Sequence, residues 1–259
     1  MSNSPLVSYT KLSPNHSGQR THAVDRITPH CVVGQCSVET LGNIFAPTSR
    51  QASCQYGIGV DGRVGMYVEE KNRSWCSSSN ANDQRAITIE CASDATHPYA
   101  FNDTVYAKLI ELCVDICKRY GKTKLLWLGD KTKTLNYEPA SNEMVLTVHR
   151  WFANKSCPGD WMYARMGDLA SKVTAKLGGS AGGTETPADN QVLYRVQTGA
   201  FSNKANADAM LQKVKAAGFD TYMVKVDNLY KIQVGAFSKK ANADAMAAKL
   251  KTAGFDTYI

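Results

Sequence analysis

The last third of the chain repeats itself at a spacing of 36 residues, and that repeat limits what this part can fold into. Tyr194-Arg195-Val196-Gln197-Thr198-Gly199-Ala200-Phe201 returns as Tyr230-Lys231-Ile232-Gln233-Val234-Gly235-Ala236-Phe237, and Ala205–Met210 returns as Ala241–Met246. Ala217–Tyr222 returns as Ala253–Tyr258. Each unit reads strand, helix, strand, and one unit alone cannot cover its own apolar face. Two units are therefore expected to fold together as β-α-β-β-α-β. The chain ends at Ile259, which leaves the final strand short. Period-2 alternation puts Tyr194, Val196, Thr198, Tyr230, Ile232 and Val234 under the helices. It puts Arg195, Gln197, Lys231 and Gln233 on the open face, with Thr221, Met223 and Lys225 joining them from the edge. A face of amides and cations suits a glycan bearing hydroxyls and carboxylates; a plain solvated sheet face is the alternative.

Ahead of the repeat, Gly178–Asn190 is made of glycine and small polar residues that cannot bury a core, so it is expected to be a flexible linker. The boundaries expected are a first domain over residues 1–177, the linker over 178–190 and the repeat domain over 191–259. In the first domain, residues 1–25 read as an irregular lead. Strands follow at Arg26–Val33, at a hairpin turning on Asp61-Gly62, and at Ala86–Ala92. An amphipathic helix covers Thr104–Tyr120 and another Trp161–Leu177. Strands alternating with helices predict an α/β fold with a mixed central sheet covered by helices.

The chemistry concentrates in Thr147–Gly159, which carries His149, Lys155 and Cys157 before a Pro-Gly turn. Imidazole and thiolate are both zinc ligands, and a catalytic zinc takes three protein ligands and leaves one position for water. His30, at the end of a short apolar run, is the third candidate. Glu90 is the lone acid in the apolar strand Ala86–Ala92; pairing with Arg85 or Lys155 would be its structural role. Cys113 and Cys117 have the i,i+4 spacing of a metal pair, but they lie in the apolar stripe of a helix and read as core.

Thr28-Pro29-His30, Ile87-Thr88-Ile89-Glu90 and His149-Arg150-Trp151-Phe152-Ala153-Asn154-Lys155-Ser156-Cys157-Pro158-Gly159 together resemble the zinc-dependent N-acetylmuramoyl-L-alanine amidases of the phage-endolysin and peptidoglycan-recognition fold. The likeness runs over about residues 5–177. It implies a Zn2+ cofactor held by His30, His149 and Cys157, with Glu90 as acid/base. It also makes Lys155 a candidate to stabilise the oxyanion. Some relatives place a tyrosine just before the central hairpin strand; here that place holds Cys54, with Tyr56 two residues on. Trp75, Asn80 and Asn82, in a polar loop, are candidate substrate contacts. The repeat resembles a SPOR domain, which in its family binds peptidoglycan glycan strands; Arg195, Gln197, Lys225, Lys231 and Gln233 are the candidate contacts.

The partner implied is bacterial cell-wall peptidoglycan. A formal charge of +7 suits an anionic wall, and no dense Lys/Arg stripe with interleaved aromatics points to nucleic acid. No apolar run is long enough for membrane insertion. Eight cysteines in a chain that starts without a basic-then-apolar leader suggest a reduced cytoplasm, so the thiols read as small buried hydrophobes. The expected setting is an endolysin made in the host cytoplasm and released to the wall through a holin-type pore. A bacterial autolysin with the same chemistry and a non-catalytic peptidoglycan-binding protein are the alternatives.

Overall fold

The computed structural model describes residues 3–178, 194–219, 221–226, 228–237 and 240–259. The chain divides into two compact units, Met1–Thr186 and Pro187–Ile259. Apart from Gly178, the linker expected over 178–190 lies outside the described residues.

In the first unit the strands are β1 (Val7–Thr10), β2 (His16–Gln19), β3 (Arg26–Cys31), β4 (Tyr56–Ile58), β5 (Val64–Met66), β6 (Asn72–Ser74), β7 (Ala86–Cys91), β8 (Lys124–Leu126) and β9 (Glu143–Leu146). The helices are α1 (Val38–Phe45), α2 (Asn80–Arg85), α3 (Asp103–Arg119), α4 (Lys131–Leu135), α5 (Asp160–Tyr163) and α6 (Met166–Lys176). Seven strands form one mixed sheet in the order β1-β5-β4-β7-β3-β9-β8, and β2 pairs with β6 apart from it. The expected mixed sheet is there, but the lead is not irregular. Val7–Thr10 joins the sheet edge beside β5, and His16–Gln19 pairs with Asn72–Ser74. Both strands are short and half exposed, so neither leaves much of an apolar alternation to read. The closing helix is also broken, into α5 and α6, with Ala164 and Arg165 between them.

Parallel strands covered on both sides need apolar side chains on both faces, and all six residues of β3 are buried. α3 starts where the Asn102 side chain accepts the Val105 N–H, satisfying one otherwise orphan donor. It lays Val105, Leu109, Leu112, Cys113, Ile116 and Cys117 into the core with no exposure, each stabilising by roughly 1.5–3 kcal/mol for the larger side chains. That settles Cys113 and Cys117 as core. All eight cysteines are free thiols. Close packing also dictates glycine at two paired positions. A Cβ on Gly57 would lie 2.7 Å from Tyr67 Cε2, and one on Gly65 would lie 2.2 Å from Tyr67 Oη, because the ring crosses the β4–β5 ladder to donate to the Val38 carbonyl. Among the described residues, no helix is long and apolar enough to cross a membrane.

The second unit contains β10 (Tyr194–Phe201), α7 (Lys204–Ala216), β11 (Tyr222–Val226), β12 (Leu229–Phe237) and α8 (Lys240–Thr252). The two repeats exchange strands. β11 of the first pairs antiparallel with β12 of the second, while β10 takes its partner from the second repeat. The short final strand survives only as a bridge between Tyr258 and Gln197. Val196, Val214, Ile232, Ala243, Ala247 and Leu250 make the core.

Candidate active site

Three adjacent parallel strands, β7, β3 and β9, deliver the site from their carboxyl ends, where open α/β sheets leave a crevice. His30 and Glu90 are the penultimate residues of β3 and β7 and stand directly opposite each other in the ladder. The chain leaving β9 enters a single 3-10 turn that begins with His149. The Cys157 loop folds back on that turn through the Arg150 N–H to the Cys157 carbonyl, 3.1 Å. The Arg150 guanidinium holds the loop from below, donating to the Ser156 carbonyl and to Asp160, whose other oxygen meets His97 Nε2 at 2.6 Å.

The expected ligands thus meet. One atom each from His30, His149 and Cys157 lies within 4.8 Å of the other two. His30 Nδ1 is 3.3 Å from Cys157 Sγ, and the His30 and His149 rings are 5.1 Å apart at their centres. Around a tetrahedral ion with bonds of roughly 2.0–2.3 Å, ligand atoms sit about 3.3–3.8 Å apart, so small side-chain adjustments close the set. His30 has no exposure, and its Nε2 has no hydrogen-bond partner among the described residues. Burial, reinforced by His149, holds the His30 imidazole well below its ordinary pKa; burial and then Lys155 lower that of His149. Burial, with Cys31 and Glu90 adding to it, pushes the Cys157 thiol up. Two neutral imidazoles and a thiol that resists ionising form a soft N, N, S donor set whose electrostatics lack a positive charge, and a dication supplies one. The residues fit a metal ion.

Glu90 stands beside this set, with Oε1 3.9 Å from His30 Nδ1 and 4.0 Å from Cys76 Sγ. Its Oε2 is buried without a hydrogen-bond partner among the described residues. Burial raises the carboxyl to about 7, with Arg50 pulling it partly back. Among the described residues neither Arg85 nor Lys155 pairs with it: Arg85 is bonded to Asp25, and the ion-pair neighbour of Glu90 is His30. A groove of about 520 Å³ opens over Glu90 and His149, lined also by Lys155, Trp75, Asn80, Arg50 and Arg73.

Asn82 lies elsewhere. It has no exposure and bonds Thr28, Ser77, Thr147 and Arg26, tying β3, α2 and the end of β9 together under the groove. A polar residue in a polar loop looked like a substrate contact; α2, capped by Ser79, turns it inward instead. Tyr56 is also withdrawn: it is fully buried, and its hydroxyl donates to Glu70 at 2.6 Å. Cys76, Ser78, Arg50 and Arg73 went unrecognised in the sequence. Ser78, 3.0 Å from His149 Nε2, sits in a serine run that offers no periodicity to read.

On the repeat sheet Arg195 and Gln197 point to the open side as expected, and Lys231 lies opposite Val224 on that side. Lys225 does not. It pairs with Tyr230, on the helix side, with its ammonium 5.3 Å from that ring, and Met223 pairs with the core residue Ile232. The open-side residues of β11 are Tyr222, Val224 and Val226, because Thr221 turns in to donate to the Gln233 carbonyl and the alternation starts one residue later. Gln233 faces the open side but is 3 % exposed, covered by Tyr222, to whose hydroxyl it donates at 2.6 Å.

Comparison with known families places the N-acetylmuramoyl-L-alanine amidase profile on residues 19–160 and the SPOR domain profile on residues 190–259. Comparison with curated proteins finds no match. Among solved structures, the chain is similar to the peptidoglycan binding domain of the B. subtilis cell wall lytic enzyme CwlC. The identity is 49 %, covering 29 % of this chain and 92 % of that one, with a TM-score of 0.26. The N-acetylmuramoyl-L-alanine amidase LysC from Clostridium intestinale is 16 % identical over 65 % of this chain and 97 % of its own, with a TM-score of 0.41. The Staphylococcus aureus hydrolase AmiA is 15 % identical over 67 % and 86 %, with a TM-score of 0.44. The amidase profile spans more than half of the sequence, and the chain belongs to the N-acetylmuramoyl-L-alanine amidase family, with a SPOR domain as its second unit.

Proposed function

We propose that this amidase is zinc-dependent and cleaves the amide between the lactyl group of N-acetylmuramic acid and L-alanine, as an endolysin acting on the wall after release from the cytoplasm. The observation that carries the reading is the meeting of His30, His149 and Cys157 beside a carboxyl with an unpartnered oxygen. Those three residues would hold the ion. A zinc ion there supplies Lewis-acid polarisation of the scissile carbonyl and an acidified water.

The protein's own groups do the rest. Glu90 takes the proton of the attacking water as the C–O bond forms, then hands it to the leaving nitrogen as the C–N bond breaks. A carboxyl held near 7 can both accept and return a proton at neutral pH. Lys155, exposed on the groove wall, offers an ammonium to the developing oxyanion, a contribution of roughly 3–4 kcal/mol. Trp75 and Asn80 line the path of the glycopeptide. Arg195, Gln197 and Lys231 on the open SPOR face hold glycan and raise the local concentration of the catalytic unit at the wall.

Purified walls incubated with the protein should release new N-terminal alanine, and chelator should stop the release until zinc is restored. Release of a different terminus would assign the cut to another bond, and no release at all would leave a wall-binding protein.

A further inference from the structure

The groove over Glu90 holds a thiol that the proposed reaction does not use. Cys76 follows β6, and the turn that carries it is clamped. The Trp75 N–H donates to Ser53 Oγ at 3.1 Å, and the Asp83 carboxylate accepts the Cys76 and Ser77 N–H groups at 3.1–3.2 Å. Cys76 borders the small cluster of Leu41, Phe45, Cys54 and Tyr67, yet its Sγ meets the groove, 4.0 Å from Glu90 Oε1. One atom each from His30, Cys76 and Glu90 lies within 4.8 Å of the other two. Glu90 stands on β7 between His30 on β3 and Gly57 on β4, and its Oε2 is buried with no hydrogen-bond partner among the described residues. An imidazole, a thiol and a carboxylate around one point make an N, S, O set. Such a set suits zinc or cadmium, whereas magnesium and calcium take oxygen ligands.

We infer that Cys76 and Glu90 form a second seat for a thiophilic divalent cation, beside the first and weaker than it. His30 Nδ1 lies 3.3 Å from Cys157 Sγ and 3.9 Å from Glu90 Oε1, so the first ion takes it. A second ion then has two protein ligands, Cys76 Sγ and a Glu90 oxygen, with water completing its shell. Fewer ligands make it the later and looser of the two. Binding exchanges the Cys76 proton for the ion and releases that proton to solvent. It also ties the Glu90 carboxylate to a cation, where it no longer takes the proton of the attacking water. On the hydrolase reading above, on which this consequence rests, one zinc ion activates the protein and excess zinc inhibits it.

Cadmium tests the seat without turnover, because each cadmium–thiolate bond adds ultraviolet charge-transfer absorption. Metal-free full-length protein is titrated with cadmium alone. Wild type should show two steps of similar size, the first from Cys157 and the second from Cys76. Cys76→Ser should keep the first step, which reports an intact fold, and lose the second. Cys157→Ser should keep a single step, which reads the seat from the other side. On purified walls, zinc beyond one equivalent should slow the wild type. Cys76→Ser should need about tenfold or more zinc for the same loss, since even a group that only orients a metal ligand is worth about 10–100-fold in affinity. A single step in wild type, a second step that survives Cys76→Ser, or no step in Cys157→Ser would overturn the seat. Zinc that slows both proteins equally would overturn its inhibitory role. A wild type that cuts no wall bond would sink the hydrolase reading, while the cadmium titration would still decide the seat.

Discussion

Replacing Glu90 by glutamine should stabilise the metal-free protein at alkaline pH while ending hydrolysis. The carboxyl is 16 % exposed, its Oε2 has no partner among the described residues, and burial lifts it from an ordinary 4.5 to about 7. The folded state therefore keeps a proton that the unfolded state gives up across that window. Stability from this group is whole below pH 4.5 and is lost as pH rises through 7. A shift of that size corresponds to about 3 kcal/mol. Glutamine does not titrate, so the stability of Glu90→Gln relative to wild type should climb by about 3 kcal/mol between pH 4.5 and pH 8. His30 and His149 titrate in both proteins and largely cancel in the difference. The assay is urea unfolding in chelator, followed by tryptophan fluorescence. All four tryptophans lie in the catalytic unit, so the SPOR unit does not contribute. A difference that stays flat across this range, or falls with pH, would refute the view that Glu90 is an uncompensated buried acid.

Three further outcomes follow from the packing. Asn82→Ala should cost about 2–4 kcal/mol in unfolding experiments, because it orphans buried partners on β3, before α2 and just after β9. Arg119→Ala should cost roughly 3–5 kcal/mol, since it strips the charge partner from Glu70, which is 1 % exposed. Gly65→Ala should destabilise by about 1–3 kcal/mol, and pairing it with Tyr67→Phe, which removes the clashing hydroxyl, should recover part of that loss.

Much of this was legible because parallel strands write strong patterns. The all-buried β3, and β7 with five of its six residues buried, read as apolar runs, and a histidine and a glutamate at their ends stood out against that background. The 36-residue repeat was equally plain. What escaped lies where the signal is physically weak. β1 and β2 are four-residue strands with half their residues exposed, held by register to distant partners that no local pattern announces. Asn82 and Lys225 failed for a shared reason. A side chain's face depends on where its element begins, and Ser79 capping α2 and Thr221 turning inward each set that start from outside the periodic residues. Arg50 and Arg73 sit in a turn and a three-residue strand, where only the assembled groove gives them meaning.

The central claim is that two imidazoles and one thiolate hold a catalytic ion. Elemental analysis of wild type beside Cys157→Ser, each also assayed on purified walls, tests it most directly. The account predicts about one zinc per wild-type chain, with little zinc and no alanine release in the variant. A wild type that cleaves walls with no metal, or a Cys157→Ser protein that keeps both its zinc and its activity, would contradict it.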